Sequence, residues 1–201
     1  MSTLRHISMK KYRISPLMLM LMAAFIVIDG TWFALFAVMC ALWHEIWHMI
    51  ILHILGGNTQ SVSFSQYGIG LKTNVLSYRQ EAAVALAGPA ASLALTVVFA
   101  VIARYFVFTE ITVFIAFSNF ALFLVNILPV YPLDGGRALH CFLCMHLNIP
   151  NAIRLTRIIS VIFLLPITVF SAIILIRTGY NLSLMIICIY LAILLIGVKD
   201  I

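Results

Sequence analysis

Residues 32–55 read WFALFAVMCALWHEIWHMIILHIL, an apolar run interrupted only by His44, Glu45, His48 and His53. As a helix it would be about 36 Å long, at about 1.5 Å per residue. Crossing the hydrocarbon core takes roughly 20 apolar residues. The stretch therefore predicts a spanning helix with a glutamate at its middle. A charge at that depth costs roughly 2.5–3.5 kcal/mol or more, which marks the position as functional rather than decorative.

The rest of the chain fits that setting. Of its 201 residues 64% are hydrophobic and 9% charged, with a mean hydropathy of +1.16. A soluble domain of this size lacks the interior to bury so much apolar surface. A soluble enzyme, a disordered chain and a nucleic-acid binder are excluded, and the lipid bilayer becomes the solvent. Six candidate spans follow: 12–28, 32–55, 81–103, 111–130, 158–176 and 182–198, with a tight Asp29-Gly30-Thr31 turn between the first two. The first lacks a small-residue cleavage site, so no cleavable signal is expected. The four cysteines, Cys40, Cys141, Cys144 and Cys188, sit in apolar context and do not form a disulfide scaffold.

The net charge of +6 sets orientation rather than a nucleic-acid partner. With the N-terminus inside, ten of the twelve Lys and Arg residues are cytoplasmic, and only Arg104 and Arg177 lie outside. Both termini are then cytoplasmic. Two long connections fall on that side. Residues 58–75 alternate in the pattern of two short strands around Gln66–Gly68. Residues 131–157 open on Tyr-Pro-Leu-Asp-Gly-Gly and predict a short helix near 137–147. The expected fold is an all-α polytopic membrane protein. It has about six transmembrane helices, with a short membrane-associated β-hairpin between the second and third. Residues 1–201 are expected to form one domain.

His44 and His48 are four residues apart and lie about 40° apart on one helix face. His-Glu-x-x-His is the spacing by which two imidazoles grip one zinc ion, while the intervening Glu45 takes a proton from water instead of binding metal. A zinc hydrolase needs a third protein ligand. The best candidate is Asp134, where Pro129 and Pro132 unwind a helix end and Gly135-Gly136 permit close packing. The plainer reading makes these residues hydrogen-bonding glue between helices. A polytopic metal or ion transporter would instead string them along a path, although no internal repeat is visible.

Other groups carry less. His53, nine residues after His44, points away from it and reads as a surface residue near the interface. His140, Cys141, Cys144 and His146 fall on one short helix and cannot easily surround one ion, so they read as interfacial packing with free thiols. Glu81 and Glu110 read as boundary residues. The strand pattern at 58–75 suits either a packing hairpin or an exposed edge that takes an unwound substrate as an added strand.

His44-Glu45-Ile46-Trp47-His48 followed later by NILPVYPLDGGRAL, with Ala87-Gly88-Pro89 between, resembles the site-2 protease family of intramembrane zinc metalloproteases. The resemblance implies that His44, His48 and Asp134 hold Zn2+ and that Glu45 activates water. It implies that Asn126, with Pro129 and Pro132 nearby, binds the substrate backbone. The implied reaction is hydrolysis of a peptide bond in or beside a substrate's membrane segment, releasing a cytosolic fragment. The substrate would be a single-pass or membrane-associated protein, and a membrane inhibitor or self-association are partner classes left open. The layout is most similar to the stage IV sporulation branch, which processes a sigma-factor precursor in the bacterial cell membrane. That branch's C-terminal cystathionine-synthase-like domain has no counterpart in 1–201. Trp47 stands where the family usually has Gly or Ala, and Ser92 where members often carry Asn. An indole at 47 must face another helix or narrow the cleft, and a silent pseudoprotease that binds membrane helices is the reading it would favour.

Overall fold

The computed structural model describes residues 13–14, 32–57, 62–65, 68–71, 76–178 and 182–197. Within these, six helices follow one another: α1 (Trp32–Ile54), α2 (Tyr78–Tyr105), α3 (Glu110–Ile127), α4 (Asp134–His146), α5 (Ile149–Thr178) and α6 (Leu182–Gly197). Three short strands, β1 (Arg13–Ile14), β2 (Val62–Ser65) and β3 (Gly68–Leu71), form a sheet of order β1-β2-β3. β2 and β3 are antiparallel, Val62 opposite Leu71 and Ser65 opposite Gly68, and β1 adds parallel to β2.

Four helices, α1, α2, α3 and α5, are long and apolar enough to cross a membrane. The expected count of six is not reproduced among the described residues. Arg13–Ile14, placed at the start of a first span, pair as a strand, and the remainder of 12–28 lies outside the described residues. α6, Leu182–Gly197, has 16 residues, fewer than the roughly 17 that a crossing takes.

The helix ends follow local chemistry. α2 starts at a capping box, in which the Ser77 hydroxyl accepts from the Gln80 N–H and the Gln80 side chain accepts from the Ser77 N–H. α3 stops at Ile127 rather than reaching 130 because Leu128 precedes Pro129, which disfavours helical backbone there; Leu128 has ψ 136°. α4 begins at Asp134, three residues before the expected start, because a carboxylate is favoured in the first turn of a helix. α5 extends back to Ile149, since Pro150 is tolerated in the first turn.

α2 is the hub and packs against α1, α3 and α4, while α5 joins α4 to α6. Its contact face carries Ala85, Gly88, Ala91 and Ser92, all buried. Small residues let membrane helices approach closely, where lipid supplies no hydrophobic drive between them. Large side chains such as Met39, Val97, Phe117, Ile162 and Phe170 point outward instead. A small apolar cluster of Val130, Leu164 and Leu191 ties the segment after α3 to α5 and α6. That segment carries the chain into Asp134.

Candidate metal centre

The buried side of α1 repeats every four residues: Cys40, His44, His48 and Leu52. This periodicity turns both imidazoles inward, where they meet a carboxylate from far along the chain. His44 Nε2 lies 3.0 Å from Asp134 Oδ2, His48 Nε2 lies 3.2 Å from the same oxygen, and the two nitrogens are 3.2 Å apart. All three residues are buried. Among the described residues they are the only group of three or more His, Cys, Asp or Glu residues whose ligand atoms converge this way.

A four-coordinate ion with bonds of about 2.0–2.1 Å sets its ligand atoms about 3.3–3.4 Å apart. The observed triangle is close to that size. Hydrogen bonding adds a second argument. His48 Nδ1 donates to the Val84 carbonyl at 2.7 Å, and a carbonyl can only accept. The neutral ring therefore turns a lone pair at Nε2 toward the Asp134 carboxylate, two acceptors face to face. A cation between them resolves the conflict. Asp134 also receives Arg137, with Nη1 3.9 Å from Oδ1 one helical turn on.

α2 completes the pocket wall. A Cβ at Gly88 would come to 2.6 Å from His44 Nε2 and 2.7 Å from His48 Cε1, and closer still to His48 Nε2. No real carbon sits so near, so the space where the three ligand atoms meet exists because residue 88 has no side chain. On α4, Gly135 lies against the carbonyls of Ile127 and Leu128, which lets the helix start hard against the end of α3. Tyr131 N–H donates to the fully buried Ser160 hydroxyl at 3.0 Å, anchoring the approach to Asp134 on α5.

Residues 105–170 match Peptidase family M50. In overall structure the chain is similar to the site-2 protease from Methanocaldococcus jannaschii, with a TM-score of 0.67 and 16% identity, over 92% of this chain and 87% of that one. No curated protein matches the chain. The family match includes Asp134 and leaves out His44, Glu45 and His48, so the geometry alone joins the two halves of the site.

The other expected residues are placed as follows. Glu45 is partly buried beside His44, outside the converging ligand atoms and within the electrostatic reach of His48, His44, Asp134 and Arg137. Asn126 donates from Nδ2 to the Leu122 carbonyl of its own helix at 3.0 Å. Pro129 and Pro132 lie in the segment between α3 and α4, and the Pro129 carbonyl accepts from Ser160 at 3.5 Å. Trp47 is partly buried and edge-on to Trp43 at 5.8 Å, with its indole N–H buried and without a partner among the described residues. His53 is exposed.

The α4 cluster is a packing site. Cys144 Sγ lies 3.5 Å from His140 Nε2, His140 Nδ1 lies 3.2 Å from Thr156 Oγ1, and Cys141 donates to Glu81. Burial and the Glu81 carboxylate push the Cys141 thiol up to about 12, so it is protonated and a poor ligand. Sequence reading missed Val84 and Ser160, and it named Gly88 and Ser92 without giving either a role at the metal. Gly88 stood in a recognised motif, but its role depends on what faces it across the helix seam, and Val84 acts through a backbone carbonyl that no side-chain pattern reveals.

Proposed function

We propose that this chain is an intramembrane zinc metalloprotease. It hydrolyses a peptide bond in or next to the membrane segment of a single-pass or membrane-associated protein and releases a cytosolic fragment. The observation that carries the proposal is the convergence of His44 Nε2, His48 Nε2 and Asp134 Oδ2 from helices 86 to 90 residues apart. Two imidazoles and a carboxylate, with a fourth position free, are a donor set of catalytic zinc. The M50 match over 105–170 and the site-2 protease fold support the same reading.

Bound zinc supplies a Lewis acid that polarises the scissile carbonyl and acidifies water. His44, His48 and Asp134 would hold it, with Arg137 steadying the carboxylate. Glu45, beside the ligands but not one of them, takes the proton of the attacking water and delivers it to the leaving amine. His48 and His44 lie about 9 and 15 Å from the end of α1, at about 1.5 Å per residue. A substrate bond therefore reaches them only inside the membrane, and a helical substrate hides that bond until it unwinds. The β2–β3 pair offers a strand edge on which the unwound segment could be held. Asn126 would steady the substrate backbone once freed from the Leu122 carbonyl. The preponderance of Lys and Arg in the connections at this end of the helices supports a cytoplasmic site, with both termini cytoplasmic.

The test is cleavage in proteoliposomes that contain the full chain and a panel of single-pass fluorescent reporters. Wild type should produce a soluble fragment that a zinc chelator suppresses, and Glu45→Gln should produce none. A Glu45→Gln variant that cuts at the wild-type rate would refute the mechanism.

A further inference from the structure

Ser92 is completely buried, and its hydroxyl lies 2.9 Å from His44 Nδ1. It stands four residues after Gly88, which stands four after Val84. The three are stacked one turn apart on a single stripe of α2. Opposite them, His44 and His48 are one turn apart on α1. The two stripes match in order along the seam. Val84 takes the Nδ1 of His48, Gly88 leaves room for both Nε2 atoms, and Ser92 takes the Nδ1 of His44.

We propose that Ser92 is a positioning residue that fixes the ring orientation and tautomer of His44, as the Val84 carbonyl does for His48. This inference rests on the metalloprotease reading above. With its hydroxyl accepting from Nδ1–H, Ser92 leaves the Nε2 lone pair of His44 free to face the point where Asp134 and His48 converge. The Ser92 carbonyl is itself engaged by the Thr96 hydroxyl at 2.9 Å, within α2. Without the Ser92 hydroxyl, the Nδ1–H of His44 is left buried and unpaired unless the ring turns away. Partners of this kind on metal-bound histidines typically change metal affinity 10- to 100-fold. Both imidazoles thus take their orientation from one helix, and α2 acts as the template against which α1 is read.

The test is metal binding by the purified full chain, with Co2+ as the probe because its visible absorption reports ligand geometry. Ser92→Ala should bind Co2+ about 10- to 100-fold more weakly than wild type, with altered absorption bands. Ser92→Thr, which keeps the hydroxyl, should restore both. Ser171→Ala, which removes an equally buried hydroxyl from α5, should change neither. If Ser92→Ala cannot be purified folded, Ser92→Cys, whose thiol hydrogen-bonds weakly, carries the same expectation. Ser92→Ala with wild-type affinity and spectrum would overturn the positioning role and leave the protease reading standing. A wild-type chain that binds no metal would overturn the reading itself.

Discussion

Replacing Gly88 by alanine adds one carbon at the place where the three ligand atoms meet. The new Cβ would stand 2.6 Å from His44 Nε2, about 0.9 Å inside an ordinary contact of about 3.5 Å, and it would press harder on His48 Nε2. Glycine to alanine in a helix interior normally gains about 0.8–1.0 kcal/mol. Overpacking of this kind costs about 1–3 kcal/mol. The gain offsets part of the cost, so stability should fall by no more than about 2 kcal/mol, and the helices should still assemble. The metal site fares differently, because the intruding carbon lies among the ligand atoms themselves. Affinity for zinc should fall at least about 100-fold, equivalent to about 2.8 kcal/mol. Thermal unfolding in detergent and elemental analysis separate the two effects. A nearly unchanged transition with lost metal is expected. A Gly88→Ala protein that binds zinc as wild type does would refute the placement of Gly88 against the ligands.

Asp134→Asn keeps the shape of the side chain but removes the charge that the imidazoles share, and zinc retention should drop while the helices remain folded, as circular dichroism would register. Ser160→Ala leaves the Tyr131 N–H without its partner and should cost about 1–3 kcal/mol, measured by thermal unfolding; an unchanged transition would show that the segment before Asp134 is held otherwise. Cys141, with its thiol near 12, is about one part in ten thousand ionised at pH 8. Maleimide should therefore spare it in the folded protein and modify it after denaturation, with the folded-state rate rising about tenfold per pH unit. Rapid labelling at pH 8 would contradict its burial.

Much of the site was legible because its chemistry is written at helical spacing. His44 and His48 sit on the same stripe as Cys40 and Leu52, so periodicity alone turned them inward. Asp134 was legible from the cost of leaving two imidazoles unpaired and from the prolines and glycines that bring the chain back. The positions of the helix ends were less legible. Apolar length could not show that α5 continues through Arg157 and Arg154 to Ile149, because those turns are polar while the backbone stays helical. Nor could it show that the chain at Arg13–Ile14 pairs with β2, a contact between residues fifty apart. The seam partners were hidden for a related reason. Val84 contributes a carbonyl, Gly88 an absence, and Ser92 a hydroxyl that acquires meaning only when His44 stands opposite. Asn126 shows the converse, since its amide is spent on its own helix in this structure.

Metal content tests the central claim most directly. The full chain, purified in detergent after zinc supplementation and dialysis, should carry one zinc per molecule. Glu45→Gln should retain it, and His44→Ala and Asp134→Ala should each lose it. Zinc absent from wild type, or retained when either ligand is removed, would contradict the account.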